Sequence, residues 1–118
     1  MDYKLNKMGS EIFYIKRKGT KSRDLFINAR EDAIMENGNS GYTGTIAEKS
    51  DYTMSKKPSE IDADKWIEMI EDFNEEEDKE KEYYEELKSD YEIYDDKWED
   101  ALCIPIDGGF IFCGFASS

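Results

Sequence analysis

"ALCIPIDGGFIFCGF", residues 101–115, is the stretch on which the fold turns. Two apolar runs rich in branched and aromatic residues flank Asp107, Gly108 and Gly109, the pattern of two antiparallel strands joined by a tight turn. With DGG as a three-residue loop, Ile106 faces Phe110 and Cys103 faces Cys113, a cross-strand pair of buried thiols. "ALCIPI" and "FIFCGF" are apolar on both faces, which suits central strands covered on two sides. If helices cover only one side, the other is an exposed hydrophobic patch that invites dimerisation.

Working outward, "SEIFYIKRKG" (10–19) alternates Ile12 and Tyr14 against Phe13 and Ile15 before a basic turn, and reads as a strand. "SRDLFINAREDAIMENG" (22–38) sets Leu25, Phe26, Ala29, Ala33 and Ile34 on one helical face, with Ser22 as N-cap and Gly38 at the C-terminal end. "GYTGTIAEK" (41–49) follows the turn-rich "NGNSG" and reads as a second strand. A turn entering that strand accounts for Gly41 and Gly44, since the segment lacks the lysine spacing of a phosphate loop. Pro58 and Ser59 open an acidic segment, where Ser59 and Asp62 resemble a capping pair. The order is β-α-β-α-β-β. The expected fold is one α+β domain over 1–118: a small mixed or antiparallel sheet with two helices on one face, the second long or broken and highly acidic. Residues 1–57 form its weakly basic βαβ part, 58–100 the acidic helical segment and 101–118 the hairpin.

Charge divides along the same lines. Residues 1–57 hold 11 Lys/Arg against 8 Asp/Glu, residues 58–100 hold 5 against 20, and the last 18 add only Asp107, for a net of −13. That balance disfavours direct binding to nucleic acid or to an anionic membrane, because both would repel it. At 14% aromatic residues the chain is also too rich in rings for a disordered polyanion. No apolar run approaches the roughly eighteen residues that would span a bilayer, and no signal-peptide core is evident, so a cytoplasmic address is expected.

The chain has no histidine, which removes the usual general base and the commonest metal ligand. Two cysteines are too few for a disulfide framework, and apolar neighbours do nothing to activate them. The acid pairs Asp62/Asp64, Glu75/Glu76/Glu77 and Asp95/Asp96 lack the glycine and spacing of a calcium loop. No catalysis, cofactor or metal is expected. The basic cluster Lys16, Arg17, Lys18, Lys21 and Arg23 reads as an internal partner for the acidic helix or as a solvated turn.

Within the acidic segment, Trp66, Met69, Ile70 and Phe73 make a core-facing stripe, continued by Tyr83, Tyr84, Leu87, Tyr91 and Tyr94. Between them "NEEEDKEKE" (74–82) is wholly polar, so a helix through it must project from the body or break near Asn74. Twenty carboxylates in 43 residues, if helical, fall about every 3 Å, close to the roughly 3.4 Å phosphate spacing of one DNA strand. Glu75, Glu76, Glu77, Asp78, Glu80, Glu82, Glu85, Glu86, Asp95 and Asp96 are the candidates for such charge mimicry. Tyr83, Tyr91 and Trp98 are candidate anchors at a protein interface.

"GYTGTIAEK" (41–49) and "FIFCGFASS" (110–118) resemble recurring ends of small proteins from phages and mobile elements. The size and charge resemble the phage anti-restriction and anti-CRISPR inhibitors. That resemblance implies a non-catalytic inhibitor whose partner is a basic nucleic-acid-binding protein, a nuclease or CRISPR effector of the host cytoplasm. The alternative is an adaptor that oligomerises, as a homodimer for instance, through its hydrophobic hairpin.

Overall fold

A computed structural model describes residues 9–38 and 41–118. Its elements are β1 (Ser10–Lys18), α1 (Ser22–Asn37), a short 3-10 turn (Ile46–Glu48), β2 (Tyr52–Met54), α2 (Ala63–Glu71), α3 (Glu75–Asp78), α4 (Tyr84–Tyr94), β3 (Ala101–Ile106) and β4 (Gly109–Ser117). The strands form one mixed sheet in the order β1-β4-β3-β2. β4 is antiparallel to both of its neighbours, and β2 runs parallel to β3. The α+β class and the expected order of strands and helices hold.

The helices do not share one face. Cys103 and Phe112 point into a cluster with Phe26, Ala29 and Ala33 of α1. Leu102, Ile104, Ile111 and Cys113 point the other way, onto Trp66 and Ile70 of α2 and Leu87 and Tyr94 of α4. The expectation of two helices on one face is therefore corrected: α1 and the 3-10 turn cover one side, α2 and α4 the other. The doubly apolar hairpin strands are the reason, since each must bury both of its faces. β3 and β4 fill the middle of the sheet and leave no broad apolar face of their own in solvent.

The hairpin register is also corrected. The loop is two residues, Asp107 and Gly108, and Ile106 pairs with Gly109, so Cys103 lies opposite Phe112 and Leu102 opposite Cys113. A slip of one residue moves a side chain to the other face. The two thiols, both free and buried, consequently sit on opposite sides of the sheet. Gly109 is drawn into the strand by its neighbour: a Cβ there would lie 2.1 Å from the Arg17 carbonyl oxygen. Gly108 supplies the turn's left-handed residue at φ +75°.

Residues 41–49 do not form a strand. Thr45 caps the 3-10 turn by accepting from the Ala47 amide at 3.1 Å, and Glu48 accepts from the Thr43 amide at 2.9 Å and its hydroxyl at 2.7 Å. These short-range side-chain bonds satisfy backbone groups that a strand would have needed for pairing. The second strand falls instead at Tyr52–Met54. The turn expected at 37–41 lies partly outside the described residues.

Two caps shift as well. α1 begins after Lys21 with no side-chain cap, and Ser22 hydrogen-bonds the Tyr52 hydroxyl at 2.7 Å. Asp62 alone caps α2, accepting from the Asp64 amide at 3.2 Å, while Ser59 remains in the preceding turn. Gly38 does end α1, at φ +81°, donating to the Ile34 carbonyl at 2.7 Å.

Candidate interaction surface

The acidic segment breaks where its apolar stripe stops. Phe73 is the last ring of the first stripe, and Asn74 then caps α3 by accepting from the amides of Glu76 and Glu77 at 3.0 and 3.2 Å. Asp78 answers by accepting from the Asn74 amide at 2.9 Å, a reciprocal capping arrangement. The rod-like mimic with one carboxylate every few ångströms is thus replaced by two helices, α3 and α4, and the bend between them.

The candidate residues separate by environment. Asp78 is buried, and its carboxylate meets Lys81 at 2.8 Å. Burial acts to raise its pKa, but the Asn74 amide and Lys81 outweigh it and hold the group below the usual carboxylate range. Asp78 is therefore a structural residue and not part of an exposed charge array. Glu75 accepts from the Tyr84 hydroxyl at 2.5 Å, with Lys88 at 3.6 Å, and that hydrogen bond lowers its pKa. Glu76 pairs with Lys79 at 3.3 Å. Glu77, Glu80, Glu82 and Glu85 are exposed, and their side chains make no hydrogen bond or ion pair among the described residues. Glu86 is half-buried on α4.

The expected anchors also divide. Tyr83 packs edge-on against Trp66 at 5.7 Å, and Tyr91 stacks on Phe73 at 4.7 Å; both are core-flanking rings. Trp98 is 68% exposed, with the Lys97 ammonium over its ring at 5.1 Å. Its amide is held by Asp96 at 2.8 Å. Asp95 is half-buried beside it. The exposed surface therefore consists of Glu75, Glu76, Glu77, Glu80, Glu82 and Glu85, with Trp98 and Asp96 beyond the far end of α4.

The basic cluster does not neutralise this surface. Arg17 pairs with Asp32 of α1 at 3.0 Å, and Arg23 with Asp51 at 3.0 Å while lying over the Tyr52 ring.

Two buried charges carry more of the architecture than the sequence suggests. Asp90 is fully buried and accepts from Trp66 Nε1 at 2.8 Å, from the Lys56 amide at 3.1 Å and from the Ser55 hydroxyl. It ties α4 to α2 and to the chain leaving β2. Its position three residues after Leu87, inside the apolar stripe, was the available signal. Lys49 is buried and donates to the carbonyls of Glu99 at 2.7 Å and Lys97 at 3.1 Å, and burial lowers its pKa. Nothing local marks that lysine.

An open groove of about 830 Å³ runs beside the hairpin turn, with Ile106 and Ile111 next to Lys16, Lys57 and Asp64. Lys57 is already committed to the Ile61 carbonyl at 2.6 Å, and Asp64 accepts from the Tyr14 hydroxyl at 2.9 Å. Among the described residues no three carboxylates or thiols converge on a point where a metal ion could be held. Among the described residues no helix is long and apolar enough to cross a membrane. Compared with protein-family models, with curated proteins and with solved structures, the chain matches none.

Proposed function

We propose that this protein is a non-catalytic, stoichiometric inhibitor that occupies the basic nucleic-acid groove of a host defence enzyme, a nuclease or CRISPR effector, in the manner of phage-encoded anti-restriction and anti-CRISPR proteins. One observation carries the reading. Glu77, Glu80, Glu82 and Glu85 stand exposed with no hydrogen bond or ion pair to their side chains among the described residues, while Lys79 and Lys81 between them are engaged by Glu76 and Asp78. Concentrating like charge costs stability, which solubility alone does not require. Trp98 adds an aromatic side chain suited to a desolvated interface. Such a surface steers association with a basic partner at rates that fall with salt.

The test is salt-graded capture of host proteins on the tagged chain, followed by a nucleic-acid competition assay with the purified target. Binding that weakens with salt, is competed by duplex DNA and is lost in E77K/E80K/E82K/E85K supports the proposal. Undiminished inhibition by that variant, shown to be folded by circular dichroism, overturns it.

A further inference from the structure

With β3 and β4 in the interior, the edges of the sheet are β2, three residues long, and β1, nine residues long. Among the described residues no further strand runs along the outer edge of β1 over residues 11–18. A long edge is a template for another strand. Ile12 and Tyr14, 52% and 46% exposed, alternate with the buried Phe13 and so lie on the α2–α4 side of the sheet, where the Tyr14 hydroxyl reaches Asp64 of α2.

We propose that β1 pairs antiparallel with β1 of a second copy of this chain, about a two-fold axis through Tyr14, so that the two sheets join into one. Within that register the segment "EIFYIKR" (11–17) is complementary to itself. Glu11 falls opposite Arg17 of the second copy, Phe13 opposite Ile15 and Ile12 opposite Lys16, and each pair occurs twice. No cation faces a cation. Glu11, Phe13, Ile15 and Arg17 share the α1 side of the sheet, where Arg17 already holds Asp32. On the other side Tyr14 meets its own counterpart, and Ile12 meets the aliphatic stem of Lys16. The net charge of −13 on each chain opposes association over most of the surface. The β1 edge holds one Glu and three cations, a net of +2 on each copy, and the two Glu11–Arg17 pairs offset part of the like charge that such pairing brings together. This inference is independent of the acidic surface, and failure of either leaves the other standing.

Sedimentation equilibrium of the full chain is expected to show a reversible dimer. The variant Y14C should cross-link into a covalent dimer under mild oxidation, because position 14 faces itself. The variant I12C should not: its two copies would stand roughly 13 Å apart along the strands, against the limit of about 7 Å between the Cα atoms of a disulfide. Cys103 and Cys113 are buried and do not compete. Either E11K or R17E should weaken the dimer by roughly tenfold, since the symmetry doubles each lost pair, and E11K/R17E should restore it. A monomer at every concentration, equal cross-linking at positions 12 and 14, or a double variant as weak as the singles would overturn the proposal. The cross-linking comparison decides even if a charge variant fails to fold.

Discussion

The carboxylates of Glu77, Glu80, Glu82 and Glu85 and the carboxylate of Asp90 belong to one acidic segment, yet they do opposite things. The first group lies in water, spaced so that its members repel one another. Asp90 lies where no water reaches and is surrounded by donors from α2 and from the chain leaving β2. A count of acids cannot separate them. Position relative to the apolar stripe does, because an acid inside the stripe must find partners or unfold the helix. Stability and recognition are thus assigned to different members of the same charge run.

The largest effect should come from breaking the buried member. D90A leaves the Trp66 indole, the Ser55 hydroxyl and the Lys56 amide without their shared acceptor, and a loss of about 3 kcal/mol or more is expected. Thermal melting should show it as a fall of roughly 15 °C. W66F removes one of those donors while retaining most of the ring and should cost about 1–2 kcal/mol. D78A removes the acceptor of the Asn74 amide and the tie to Lys81, for about 1 kcal/mol. The folded pKa of Asp78 lies below its ordinary 3.8, so its contribution is present above that pH and is lost as pH falls through the folded value. The acid limb of the melting profile should therefore flatten in D78N. Smallest is E77K/E80K/E82K/E85K, with stability changed by no more than about 0.5 kcal/mol and partner binding lost; a large destabilisation would erase the distinction between the two kinds of carboxylate.

The cysteines offer a second comparison, this time between the two faces of the sheet. Burial pushes the Cys103 thiol up to about 12, and burial with nearby carboxylates raises Cys113 as well. A raised folded pKa means that the unfolded thiols ionise first, above the ordinary value of 9.0, so stability is lost as pH climbs beyond it. Lys49, with its lowered pKa, acts with the opposite sign in part of the same window. Melting temperatures of the native chain and of C103A/C113A between pH 8 and 11, a range set about the thiol reference value, should isolate the cysteine part as a shallower alkaline decline in the variant.

Much of this was legible in the sequence where periodicity speaks. The stripe beginning at Trp66, the break at Asn74 and the hairpin each follow from local patterns, and β1 and α1 fall within a residue of their expected bounds. The register of the hairpin did not, because Gly109 is fixed by the Arg17 carbonyl, a neighbour distant in sequence. β2 was displaced because three residues give alternation too little length, while "GYTGT" had branched and aromatic residues whose hydroxyls were taken by a local turn. Of the site, the exposed glutamates were visible as composition. Tyr83 and Tyr91 lie against the body as the apolar stripe placed them, while Asp78 was drawn in by the Asn74 amide and Lys81, partners that composition does not name.

The pairing of β1 with β4 has a consequence for biosynthesis. Ser10 finds its partner at Ser117 and Lys18 at Gly109, so β1 waits for β4, about a hundred residues later in the chain, before the two can pair. Such distant pairing makes for slow folding, because a long loop must close before any contact rewards it. Until then the nascent chain carries an unsatisfied strand, and helices α2 and α4 have no β3 or β4 to lie on. Holding chaperones have their opportunity in that interval, and the polyanionic middle of the chain, already extruded, helps keep neighbouring nascent copies apart.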